Sequence, residues 1–104
     1  MRLRRSRFAQ LIDSQLDLFE REHRDVIVEV KERLETYNRA DRAEAEELYG
    51  DYVDAVETGT ELLADLRDHF AMTLDDEASE EYEDAFNRAV AKRLPRFALE
   101  IENR

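Results

Sequence analysis

The stretch DRAEAEELYGDYVDAVETGTELLADLRDHFAM, residues 41–72, decides the fold. Its apolar and small side chains fall into two rows, Ala45, Leu48, Tyr52, Ala55, Gly59, Leu62, Leu66 and His69 in one, and Tyr49, Val53, Val56, Thr60, Leu63 and Phe70 in the other. Both rows advance mostly by three and four residues, the period of an α-helix, and they lie side by side about 100° apart. This helix is therefore apolar over roughly half its circumference and belongs between neighbours. Beside that face runs an acidic ridge of Glu44, Glu47, Asp51, Asp54, Glu61, Asp65 and Asp68. Gly59 sits on an apolar row, where the lack of a side chain lets another element approach closely, whereas Gly50 lies off that row.

Upstream, Ile12, Leu16, Phe19, His23, Val26, Val30 and Leu34 keep the same period, widened by Phe8, Leu11 and Leu18. The spacing predicts one helix over about residues 4–36. Register is lost at Tyr37–Ala40, the expected turn, and Asp41 with Glu44 three residues on has the form of a capping box that starts the second helix, 41–72. Downstream, Thr73 followed by Asp76 fits an N-cap, and Asp75, Asp76 and Glu77 fall where the next helix presents its positive dipole end. That helix, about 75–102, carries Ala78, Tyr82, Ala85, Phe86, Ala89, Val90, Leu94, Phe97 and Ile101, and Pro95 must bend or restart it near Arg93.

Composition agrees with an all-α reading of residues 1–104 as a single helical domain. Two glycines and one proline are too few for a chain of tight β-turns, and the absence of cysteine excludes a disulfide framework and sulfur-ligated zinc. The short turns make the three long helices antiparallel, a hairpin plus a third helix bent near Pro95. So slender a bundle buries little surface per residue, and we expect self-association, as a homo-oligomer, to complete it. The basic start at Arg2, Arg4, Arg5 and Arg7 is not followed by the apolar run of a signal peptide, and no stretch approaches the roughly 20 apolar residues of a membrane span. The expected compartment is the cytoplasm.

Charge is unevenly distributed within a net of -11. Residues 41–87 hold 17 acidic and 2 basic side chains, whereas 88–104 hold 5 basic and 2 acidic ones. The acidic centre would repel phosphates and argues against nucleic acid as a partner. Another protein could instead dock on the acidic second helix or on the basic C-terminal helix, where Arg88, Lys92, Arg93 and Arg96 surround Phe86, Val90, Leu94 and Phe97.

Glu20-x-x-His23 is the one local pattern with a coordination reading, since residues three apart on a helix project from the same side. The spacing resembles half of a ferritin-like di-metal site and covers those two residues. The resemblance implies a carboxylate and histidine bundle site for iron or manganese. A hairpin turning near residue 38 places His23 opposite Asp54 and Glu57, which would complete the ligand set Glu20, His23, Asp54 and Glu57. A histidine packed on an apolar stripe explains the same pattern without metal. Asp65 and His69 form a second spaced pair, which places the two histidines roughly 22 Å apart along the helix, too far to share one site within a subunit. The serines Ser6, Ser14 and Ser79 fall at helix ends or solvent-facing positions, which gives side-chain catalysis little support. The first reading is thus a non-catalytic assembly or interaction protein without a cofactor, and the alternative a metal-binding helical bundle.

Overall fold

The structure, a computed structural model, describes residues 7–104. It is all-helical, with no strand among the described residues. The elements are α1 (Ala9–Glu22), α2 (Arg24–Asn38), α3 (Ala45–Ala71), α4 (Asp76–Arg93), a single 3-10 turn (Pro95–Phe97) and α5 (Ala98–Glu102).

The helix expected over residues 4–36 is two helices, α1 and α2, and its first residues, 4–6, lie outside the described part. The break falls at His23, whose φ of -119° and ψ of 33° leave the helical region for one residue. Its N–H still donates to the Phe19 carbonyl at 2.8 Å, and its own carbonyl accepts from Val26 and Ile27, so helix resumes at once. Neither Gly nor Pro is present, and the apolar stripe stays in phase across the break. The bend follows from what each half packs on: α1 lies along α4, tied by Tyr82 to Gln15, while α2 lies along α3.

The turn between α2 and α3 runs over residues 39–44. Asp41 Oδ1 accepts from the Glu44 N–H at 3.1 Å, but this bond closes the turn; the second helix, expected from residue 41, starts at Ala45 with Glu44 at its N-cap and no side-chain cap bond. The cap before α4 is Asp75 rather than Thr73. Asp75 has extended backbone and its carboxylate accepts from the Ala78 N–H at 2.8 Å, whereas the Thr73 hydroxyl donates back to the Phe70 carbonyl at 2.7 Å. Thr73 is thus occupied with finishing α3 and cannot start α4.

At the far end of α4, Leu94 leaves the helix with φ -132° and ψ 63°, and Pro95 takes the first position of the 3-10 turn. A residue before proline is sterically driven out of the helical region, and proline's missing N–H costs nothing in a first turn. The expected bend is therefore a break and restart, which swings Phe97 and Ile101 back onto α3.

The core gathers Ile12, Leu16 and Phe19 of α1, Val30 of α2, Val56, Leu63, Ala64 and Ala71 of α3, Tyr82, Phe86 and Val90 of α4, and Leu94, Phe97 and Ile101 beyond it. The two rows of α3 do not share its burial equally. Val56 and Leu63 are 6% and 0% exposed, but Tyr49, at the head of the same row, is 50% exposed, and Leu48, Tyr52 and Val53 are half-buried. The far half of this wide face is covered by α4, the 3-10 turn and α5, and the half next to the turn packs on α2 but is only partly covered, least of all at Tyr49.

Candidate interaction surface

The partly covered half of α3 carries a run of tyrosines. The Tyr37 ring at the end of α2 lies 5.2 Å from that of Tyr49, which in turn lies 6.2 Å from Tyr52. Across a shallow cleft of about 180 Å³, Tyr49, Tyr52, Val53, Val56 and Glu57 of α3 face Arg96, Leu99 and Glu100. Leu99 is 71% exposed. Single exposed leucines are ordinary on protein surfaces, but a leucine and a half-exposed tyrosine lining one concavity, continuous with two further aromatic rings, form a contiguous apolar patch.

Glu57, Arg96 and Glu100 are the charged residues at the cleft itself, and further charges of both signs are exposed along the helices. The ridge residues Glu44, Glu47, Asp54, Glu61, Asp65 and Asp68 are all exposed, and so are Arg88, Lys92 and Arg96. Arg93 is different. Its guanidinium bonds to Glu20, to Asp17 Oδ1 at 2.6 Å and to the Asp13 carbonyl at 3.1 Å, clamping the end of α4 onto α1. The hydrogen bond to Asp17, with the further charge of Glu20, raises its affinity for its proton above that of an ordinary arginine.

The four residues of the coordination reading occupy different surroundings. Glu20 is half-buried against Arg93. His23 packs its ring 5.0 Å from that of Phe19, in a small cleft with Leu62 and Leu66. Asp54 lies in the groove with Glu29, Arg33 and Asp51, and Glu57 lies on the tyrosine side of α3. Because the turn extends to Glu44, Arg33 stands beside Asp51, and the α2–α3 pairing is shifted by about seven residues, or two helical turns. The residue opposite His23 is consequently Leu62. Among the described residues no group of three or more His, Asp or Glu side chains is placed to hold a metal ion.

His69, Asp65 and Ser14 are exposed and Ser79 is half-buried. Of the basic start, Arg2, Arg4 and Arg5 lie outside the described residues, as does Ser6. Arg7 pairs with Glu81 at 3.3 Å and covers the Phe8 ring, its guanidinium carbon 4.9 Å from the ring centre.

Two buried side chains, Arg67 and Tyr82, tie the helices together through their polar ends. Arg67, 4% exposed, donates from Nη1 to Asn87 Oδ1 and to the Ile101 carbonyl, both at 3.0 Å, and from Nε to Asp68 Oδ1 at 2.8 Å. It joins α3, α4 and α5 at one point and thereby holds the helix that presents Leu99. Its signal in the sequence is a gap: the row Val56, Thr60, Leu63, Phe70 skips position 67, where an arginine stands in an apolar place. Tyr82 donates its hydroxyl to Gln15 Oε1 at 2.8 Å while its ring packs on Phe8, Phe70 and Phe86. Burial pushes its phenol up to about 12, against the smaller opposing effect of the Gln15 bond.

Among the described residues no helix is long and apolar enough to cross a membrane. No protein-family model, curated protein or solved structure matches the chain.

Proposed function

We propose that this chain is a non-catalytic helical interaction protein that works by self-association through the tyrosine and leucine patch of α3 and α5. The observation that carries the reading is the split along one helical row: Val56 and Leu63 are closed over, while Tyr49 remains 50% exposed beside Leu99 at 71%. A second copy laid on this half of α3 extends the covered face to its full length and completes a bundle of antiparallel helices. Charge supports the alignment. The acidic ridge of one copy meets the exposed Arg88, Lys92 and Arg96 of the other, so that like charges are kept apart and the register is set.

The test is a pair of surface variants. Tyr49→Glu with Leu99→Glu places two carboxylates in the proposed contact and should abolish cross-linking between copies without reducing helical circular dichroism. Leu18→Glu with Met72→Glu, at exposed positions outside the patch, should leave cross-linking unchanged. Equal cross-linking in both pairs contradicts the reading.

A further inference from the structure

A second concavity lies on the other side of Arg96, between α2 and the break at Pro95. Its volume is about 380 Å³, within the ordinary range of small-molecule sites. One wall is a single stripe of α2, from Ile27 through Val30, Lys31 and Leu34 to Asn38, and so extends about 16 Å along that helix. The other wall is Leu94, Pro95 and Phe97. The floor is therefore apolar and anchored, since Val30, Leu94 and Phe97 are themselves core residues at 2%, 7% and 2% exposure. It exists because Pro95 ends α4: had that helix continued, its next turn would not fold back toward α3, and α2 would face no second wall.

The mouth holds three cations, Lys31, Arg93 and Arg96, and one acid, Glu35. Arg93 is engaged by Asp17 and Glu20. The side chains of Lys31 and Arg96 make no ion pair or hydrogen bond among the described residues. In a chain with 27 acidic side chains against 16 basic ones, two unpaired cations at the entrance to an apolar cleft form a local reversal of the overall charge. A cleft with greasy walls and a positive rim is complementary to a molecule with an elongated apolar body and one anionic head.

We infer that this cleft binds a free, single-chain amphipathic carboxylate, with its hydrocarbon along Ile27, Leu34, Leu94 and Phe97 and its carboxylate between Lys31 and Arg96. Apolar burial supplies most of the binding, and the two cations supply selectivity for an anion over a neutral analogue. The cleft shares Arg96 with the self-association surface, whereas Lys31, Leu34 and Leu94 lie outside the tyrosine patch, so Lys31→Ala alone tests the carboxylate contact without touching that surface.

The experiment uses octanoate and octanol, each titrated below its aggregation limit into the isotopically labelled chain, with amide chemical shifts as readout. Octanoate should give saturable shifts confined to residues 27–38 and 93–97 and bind about tenfold more tightly than octanol, the size expected of a charge-assisted contact. The double variant Lys31→Ala with Arg96→Ala, both at exposed positions, should bring octanoate down to the octanol value. Leu34→Trp, which fills the cleft, should abolish the shifts from both compounds. Equal affinity for octanoate and octanol, an unaffected double variant, or shifts centred elsewhere would overturn the inference. So would binding of phosphatidylglycerol vesicles with no response to octanoate, which would make the basic mouth a membrane contact.

Discussion

The Phe97 ring occupies the space that a side chain at position 59 would need: a Cβ built on Gly59 would lie 2.7 Å from Phe97 Cζ. Carbon atoms in van der Waals contact stay about 3.5–4.0 Å apart. The close seat of the 3-10 turn on α3, and with it the position of α5 and Leu99, thus depends on a hydrogen at one position of a 27-residue helix.

Gly59→Ala should therefore destabilise the protein by about 1–3 kcal/mol, because displacing Phe97 outweighs the roughly 1 kcal/mol that alanine gains in helix propensity. Gly50 is the control. Nothing lies within 4 Å of a Cβ there, and Gly50→Ala should stabilise by about 0.8–1 kcal/mol. Denaturant midpoints of the two variants should move in opposite directions, and a stabilised Gly59→Ala would refute the close contact.

Arg67 holds α5 to the body through the Ile101 carbonyl and Asn87. Arg67→Met keeps an unbranched apolar stem but removes the guanidinium and leaves both acceptors without a donor, at a cost of about 1–3 kcal/mol. Arg67→Lys should recover only part of this, since one ammonium cannot reproduce the fork of the guanidinium. Hydrogen exchange should report the loss first at residues 98–102, and uniform loss across all helices would argue against a local clamp.

Tyr82 makes stability depend on alkaline pH. Its phenol is raised to about 12 in the folded chain from an ordinary value of 10.0, so the folded state prefers the protonated form. This contribution is complete below pH 10, falls as the unfolded chain ionises first, and is gone by about pH 12, a loss of at most about 3 kcal/mol. Tyr82→Phe should cost about 0.5–1.5 kcal/mol at neutral pH through the lost Gln15 bond and should flatten the decline between pH 10 and 12. An unchanged slope in denaturant midpoints over that range would contradict this account.

Arg93 joins α4 to α1 near the surface, with 27% of its side chain exposed. Arg93→Ala should destabilise by about 1 kcal/mol, and half-molar salt should reduce the difference from the parent protein because partly exposed ion pairs are screened. A deficit that salt does not alter would mean that packing of the arginine stem, rather than charge, holds the two helices together.

Helix was legible throughout because each segment repeats its apolar residues with a helical period, although α3 starts at Ala45 and not at Asp41, which lies in the turn. Gly59 and Pro95 were legible for the same local reason: a missing side chain and a missing N–H have consequences that hardly depend on the rest of the chain. The break at His23 was not, since Phe19, His23, Val26 and Val30 stay in phase and only the different partners of α1 and α2 bend the chain there. A turn placed near residue 38 rather than over 39–44 displaced every inferred neighbour by about two helical turns, which set Asp54 and Glu57 opposite His23 in place of Leu62. The pairing of Glu20 with Arg93 joins residues 73 apart and leaves no periodic trace. Nor could a helical pattern reveal that only half of α3's apolar face would be fully covered.

Sedimentation velocity over a wide dilution range tests the central claim most directly. Association through the partly covered half of α3 predicts a mass above 12.3 kDa that falls toward that value on dilution, and that sits at it for Tyr49→Glu with Leu99→Glu at every concentration. A parent protein that sediments at 12.3 kDa throughout, indistinguishable from the double variant, would contradict it.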